Sequence, residues 1–279
     1  MAVVIVGCGD VGTEAGLRFA AAGHRVEGWR RSAQVLPAAI KPVVADLAGE
    51  LPRFPADTEV VVHAPAAGGR SVQAYRRVYL DGLAGVLRAL ERDRVIPRRI
   101  VLVSSTAVYA DTEGAWVDET TPADPPTETS IILRDAEELL AARAPQGVVL
   151  RLAGIYGPGR MRLVDKARAG AAEPGWDRFT NRIHRDDAAA AIVHLATGVA
   201  DPAAVYNGVD REPAVLGEVL DFLADRLDVD RPLRDGAGAP STGKRISGEL
   251  LRSTGFEFAY PSYREGYAAV LAGEGTRHP

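Results

Sequence analysis

Gly7-Cys8-Gly9-Asp10-Val11-Gly12 follows directly on an apolar run at 2–6 and opens a stretch of helical pattern. Strand, glycine turn and helix in that order are what pyrophosphate binding requires. Gly7 permits the tight turn, Gly9 lets the backbone approach a pyrophosphate, and Gly12 lets helix and strand pack closely. The N–H groups and positive end of the helix dipole then face the phosphates, with Asp10 and Val11 in the first turn. The alternative is a glycine turn kept only for packing. An apolar strand ending at residue 6 favours a dinucleotide. Cys8 reads as a small filler in the turn rather than a nucleophile.

The residues after the second strand select the dinucleotide. An NAD site wants a carboxylate there for the ribose 2′-OH, whereas an NADP site uses arginine for the 2′-phosphate. Here Arg25-Val-Glu-Gly-Trp29 runs into Arg30-Arg31-Ser32, and Glu27 lies mid-strand, too early for the ribose. NADP is the expected cofactor and NAD the second choice; arginines that merely charge a surface loop are the bland reading. Asp46 and Leu47 follow the third strand, where Asp46 would bond the adenine or cap the next turn.

Those residues must be carried by an ordinary well-cored chain. Its 279 residues are 47% hydrophobic and 25% charged, enough for one large domain or one domain with a smaller lobe. A net charge of −4 gives no electrostatic footprint for nucleic acid or an anionic membrane. One cysteine excludes a disulfide framework within the chain. No apolar run reaches the ~20 residues that span a bilayer, and the N-terminus lacks a basic region and cleavage site. A cytoplasmic enzyme or binding protein is therefore expected. Only three lysines occur, Lys41, Lys166 and Lys244.

Short β-branched runs alternate with Ala/Leu-rich stretches, the pattern of a parallel sheet. Strands are predicted at 2–6, 25–29, 43–45, 60–64, 100–104 and 148–155, and helices at 11–22, 72–92 and 130–144. The loop 111–129 is too polar and broken for an element of its own. The expected fold is a doubly wound α/β Rossmann sheet over 1–157. A smaller substrate lobe covers most of 158–279, where Gly and Pro punctuate 170–175, 201–202 and 231–240. Some elements there, such as a strand at 205–209, would return to the main sheet.

Four further segments carry a resemblance: Val62-His-Ala64-Pro65-Ala66, Val103-Ser104-Ser105-Thr106-Ala-Val-Tyr109, Arg151-Leu-Ala-Gly-Ile155-Tyr156-Gly-Pro158 and Asn181-Arg182-Ile-His184-Arg-Asp-Asp187. With the glycine turn, in this order, the chain resembles the extended short-chain dehydrogenase/reductases, the nucleotide-sugar epimerases and dehydratases. The likeness covers nearly the whole length and is nearest to an atypical subgroup. It implies that Ala64, Pro65, Ala66, Ser104 and Ile155 line the cofactor and that Ser105 bonds the reacting oxygen. If the strand end shifts by one residue, Thr106 takes that role.

The departure from the family matters more. Its members use a Tyr-x-x-x-Lys pair, in which lysine lowers the tyrosine pKa for proton exchange near neutral pH. None of the eight tyrosines here has lysine four residues on. Alignment puts Ser130 near the tyrosine and Arg134 near the lysine; arginine would still bond the nicotinamide ribose, but serine cannot replace a phenolate. The remaining acid/base candidates are Tyr156 and His184, then Tyr109, whose default is a role in the fold. His184 has a bland reading as a structural hydrogen-bonder, and Asp187 as a helix anchor. Arg160, Asn181 and Arg182 are candidate substrate contacts. No histidine has metal-ligand spacing with a carboxylate, so no metal is expected.

Two functions from different classes remain. One is an NAD(P)-dependent oxidoreductase or epimerase acting on a sugar nucleotide or small hydroxy/carbonyl compound, with nonstandard acid/base residues. The other is a dinucleotide-binding redox sensor or partner-binding module without catalysis. In relatives the helices matching 72–92 and 130–144 form dimer interfaces, which implies a homodimer.

Overall fold

The computed structural model describes residues 1–69, 71–170, 175–232 and 242–278. Its strands are β1 (Ala2–Val6), β2 (Arg25–Arg30), β3 (Lys41–Val44), β4 (Thr58–His63), β5 (Arg99–Ser105), β6 (Trp116–Val117) and β7 (Gly147–Leu152). They continue as β8 (Gly154–Tyr156), β9 (Arg178–Thr180), β10 (Arg182–His184), β11 (Val205–Gly208), β12 (Ala214–Val215), β13 (Thr242–Gly243) and β14 (Arg245–Ile246). The helices begin with α1 (Asp10–Ala21), α2 (Val72–Tyr75), α3 (Asp81–Asp93) and α4 (Glu128–Arg143). After them come α5 (Arg162–Ala169), α6 (Arg185–Thr197), α7 (Leu216–Leu227), α8 (Glu249–Ser253) and α9 (Tyr263–Leu271).

Seven strands form one parallel sheet in the order β11-β7-β5-β4-β1-β2-β3. Alternation along β1 explains why helices cover both faces. Val3 and Ile5 join Ala15 and Phe19 of α1 and Ile192 and Leu195 of α6 in one core. Val4 and Val6 join Leu83, Val86 and Leu90 of α3 and Leu140 of α4 in the other. The doubly wound α/β fold is the one expected. Strand order reverses between β1 and β4, and ligands of open α/β sheets bind outside the carboxyl ends at such a point.

Several expected boundaries move, each for a local reason. The run 148–155 divides at Ala153, and β8 leaves the main sheet to pair with β10. The helix expected at 72–92 is broken by a π turn, Arg76–Leu80, between α2 and α3. The loop 111–129 does hold an element, since β6 pairs with β14. The 205–209 strand returns to the main sheet as β11, beside β7. A separate core gathers Leu163 and Val164 of α5, Leu220 and Leu223 of α7 and Tyr263 and Tyr267 of α9. Of the punctuated stretches, 171–174 and 233–240 lie outside the described residues. Among the described residues no helix is long and apolar enough to cross a membrane.

Candidate functional site

Three cavities run together along the carboxyl ends of the sheet. The first, about 700 Å³, lies between the glycine turn, the end of β2 and the loop after β3. Gly7, Gly9, Arg30, Arg31, Asp46, Leu47, Pro65 and Ala66 all line it. The second, about 520 Å³, shares Gly9, Pro65 and Ala66 with the first, and adds Asp10, Val11, Ala64, Ser104, Ser105 and Ile155. The third, about 380 Å³, shares Ser105, Ala107, Ile155 and Arg160 with the second.

The glycine turn fits a pyrophosphate. Gly7 has φ +86°, and a Cβ there would lie 2.3 Å from Pro65. A Cβ on Gly12 would meet the Gly7 carbonyl oxygen at 2.9 Å, so helix and strand approach as closely as glycine allows. A Cβ on Gly9 would meet nothing within 4 Å. That open space on the cavity wall is a cradle for a ligand's phosphates. No side chain caps α1 at Gly9, leaving its first-turn N–H groups unclaimed by a cap. Burial pushes the Cys8 thiol up to about 11, which suits a filler and not a nucleophile.

Past β2 the charges divide. Glu27 accepts from Lys41 at 2.7 Å, across the β2–β3 pair. Arg30 donates to the Cys8 carbonyl at 3.2 Å, which holds it against the glycine turn. Asp46 accepts from the Ala48 N–H at 3.1 Å, so it caps the following turn while lining the cavity.

Asp10 has more partners than the sequence suggests. Arg160 donates to one of its oxygens at 2.8 Å; Arg185 and the His278 N–H donate to the other at 2.8 and 3.1 Å. Burial acts against ionisation, but these donors outweigh it and hold the carboxyl below its usual range. Arg160 thus joins the mouth of the glycine turn to both inner cavities.

Ser105 stands at the end of β5, where the second and third cavities meet. Its hydroxyl oxygen accepts from the Ala107 N–H at 3.2 Å, which leaves its proton to donate. Thr106 and Arg182 line the third cavity, and Arg182 is buried with its Nη1 lacking a protein partner. Arg162, Arg178 and Lys244 line it too.

Of the expected acid/base residues, Tyr156 lines the third cavity with Ser105, whereas Tyr109 and His184 line none of the three. Tyr109 is fully buried; its hydroxyl donates to Asn207 at 3.0 Å and accepts from Arg151 at 2.8 Å. The Tyr156 hydroxyl donates to the Ser262 carbonyl at 3.2 Å, and burial pushes it well above the usual phenol range. His184 caps α6 by accepting from the Asp186 N–H, and burial presses it down to about 4. Its ring is tilted against Tyr260 with centroids 3.9 Å apart, and at neutral pH it is not an imidazolium acid. Tyr109 and His184 hold structural hydrogen bonds, and Tyr156 combines such a bond with a place on the wall of the third cavity.

Three further expected residues carry polar partners of their own. Arg134 pairs with Asp135 and Glu138 on its own helix, while α4 lines the second cavity with Thr129, Ser130 and Leu133. Asn181 lines the third cavity, yet its amide grips the Lys244 carbonyl and the Ile246 N–H, both at 2.8 Å. Ser104 lines the second cavity, but its hydroxyl donates to Glu137 at 2.5 Å. Ser130 is equally committed, since it closes the capping box of α4 with Thr127.

Sequence reasoning missed Tyr75 and Tyr79, whose rings sit 5.1 Å apart on the second cavity. Their spacing of four on a helical stretch was the available signal. It also left Arg162, Arg178 and Lys244 unplaced, because nothing near them in sequence marks a site. Among the described residues no group of three His, Cys, Asp or Glu side chains is placed to hold a metal ion.

Comparison with known proteins agrees with this architecture. A protein of Methylobacillus flagellatus described as an NAD-dependent epimerase/dehydratase superposes with a TM-score of 0.82 and 36% identity, covering 98% of each chain. Protein YeeZ of Escherichia coli K12 is 33% identical over 169 residues, 58% of this chain and 59% of the relative's length. MoeE5, solved with UDP-glucose and NAD, shares the fold at a TM-score of 0.78 and 21% identity, covering 98% of both chains. The model of the NAD dependent epimerase/dehydratase family matches residues 3–207, and the chain belongs to that family.

Proposed function

We propose that this protein is an NADP-dependent oxidoreductase or epimerase acting on a sugar nucleotide or a related small hydroxy/carbonyl compound. One observation carries the reading: Ser105 lines both the cavity that continues from the glycine turn and the basic cavity beyond it. The dinucleotide would lie from Arg30 and Arg31, past Gly9, to Ala64 and Ile155, and would supply or accept hydride. Ser105 would orient the reacting oxygen by donating its hydroxyl proton. Arg160, Arg162, Arg178 and Arg182 suit an anionic substrate such as a nucleoside diphosphate. The UDP-glucose bound by MoeE5 has that chemistry. NADP is favoured over NAD because Glu27 is paired with Lys41 while Arg30 and Arg31 line the cavity. Two copies would pair through the faces around α2 and α4, where Val72 and Ile131 are exposed.

The test is calorimetric titration with NADP and NAD, then with UDP-glucose on the loaded protein, followed by an absorbance assay of NADPH against carbonyl compounds. Tighter NADP binding with turnover supports the enzyme. Dinucleotide binding with no change in NADPH absorbance and no epimerised sugar nucleotide for any compound makes the protein a sensor instead.

A further inference from the structure

The family's lysine is absent from α4, but a lysine reaches the site from another part of the chain. Lys244 is the sole lysine among the described residues that line the substrate-side cavity, which it shares with Ser105 and Thr106. Its ammonium donates to the Tyr109 carbonyl, four residues beyond Ser105. One donor is used there, and two N–H groups remain for a ligand.

The segment around Lys244 is tied down on both sides. Gly243 has φ +83°, and a Cβ there would lie 2.4 Å from the Phe179 carbonyl oxygen, so only glycine fits. The Gly243 N–H donates to Asp111 at 2.8 Å, and its carbonyl accepts from Gly114 at 2.9 Å. Asn181 holds the Lys244 carbonyl and the next strand's first buried N–H. A side chain so positioned loses little conformational freedom when it engages a substrate.

We propose that the Lys244 ammonium is the acid/base group of this site, giving a proton to the substrate oxygen that Ser105 orients. The proposal rests on the nicotinamide reading above. In the reductive direction a dihydronicotinamide held beside Ser105 would supply the hydride for the new C–H bond at the carbonyl carbon. The π pair moves to oxygen, and that oxygen takes a proton from Nζ. The carbonyl would be reduced and the dinucleotide oxidised, and the neutral amine regains a proton from water. In the oxidative direction the same amine accepts the hydroxyl proton. Burial lowers the Lys244 pKa from its ordinary value, with Asp111 opposing that shift. Arg160, Arg162, Arg178 and Arg182 face the same cavity and add only positive charge, so none of them favours the ammonium. A lysine of this kind exchanges protons nearer neutrality than an exposed one.

Having three lysines makes the test clean. The whole ligand-free protein is labelled with trace acetic anhydride across a pH series, and each lysine is read by mass spectrometry. Lys244 should gain reactivity at lower pH than Lys41, whose side chain is 66% exposed. Reactivity that rises together with Lys41, or later, overturns the proposal whatever the dinucleotide does. The second arm is Lys244→Arg, which keeps the charge but cannot give up a proton. For any carbonyl compound the wild type reduces, kcat should fall ~10²–10⁴-fold, with KM and NADP affinity within about threefold. A kcat within about tenfold of the wild type also overturns it. If the wild type neither reduces nor epimerises any compound, the nicotinamide reading fails, and the labelling still decides whether Lys244 is a tuned amine.

Discussion

The side-chain amide of Asn181 donates to the carbonyl of Lys244 at 2.8 Å and accepts from the Ile246 N–H at the same distance. A residue that lines the third cavity also fixes the segment that carries the cavity's lysine. Asn181→Leu removes both bonds and leaves two backbone groups without partners. It should destabilise the chain by ~1–3 kcal/mol, measured by chemical denaturation. A loss below ~0.5 kcal/mol would mean the segment is held without it.

Tyr156 and His184 were the leading acid/base residues in the sequence, and their geometry predicts otherwise. Tyr156→Phe removes one bond to the Ser262 carbonyl, at a cost of ~0.5–1.5 kcal/mol of stability. Turnover of any substrate should stay within about tenfold of the wild type. A loss of ~10²-fold or more, with NADP affinity intact, would return the tyrosine to the chemistry.

The sheet was legible because parallel strands buried on both faces are continuous β-branched runs, and β1 matches its expected bounds. The first cavity was legible for the same local reason, since the glycine turn, Arg30 and Asp46 each lie at or just past the end of a strand. The substrate side was not. Lys244 reaches Tyr109 across 135 positions through the β6–β14 pair, a contact that no periodicity announces. His184 and Tyr156 look chemical in sequence, yet their roles depend on burial and on Ser262 and Asp186 as partners. The π turn at Arg76–Leu80 was invisible because residues in helix and π turn share composition.

Asp210 predicts a pH effect. It is 1% exposed, and burial raises its carboxyl from 3.8 to about 7, with Arg182 pulling the other way. Between those values the folded chain holds a proton that the unfolded chain has released. The group's stabilisation is therefore full below 3.8 and lost as pH rises through about 7. Asp210→Asn keeps the shape and removes the titration. Its stability relative to the wild type should grow by more than ~1 kcal/mol over that window, read by denaturation at both ends. His63 and His184, pressed down to about 4 by burial, act in the opposite sense but are common to both proteins. A difference that does not change with pH contradicts the buried carboxyl.

Arg30 and Arg31 should discriminate between dinucleotides. Arg31→Ala and Arg30→Ala should each weaken NADP binding by ~1.5–3 kcal/mol, the scale of a hydrogen bond to a charged group. NAD affinity should change less, most visibly for Arg31, because Arg30 also holds the Cys8 carbonyl. Equal losses for both dinucleotides would show that neither arginine meets the 2′-phosphate.

Most direct is calorimetry on Gly9→Val, because the whole account depends on a dinucleotide lying across the glycine turn. A Cβ at Gly9 meets nothing within 4 Å, and the residue's φ of −89° suits any side chain. The variant should therefore fold with the wild-type circular dichroism and melting temperature. Its side chain would occupy the space of the pyrophosphate, so NADP and NAD should give no measurable heat of binding at concentrations that saturate the wild type. A folded Gly9→Val protein that still binds NADP with wild-type affinity would contradict the placement of the cofactor, and with it the site.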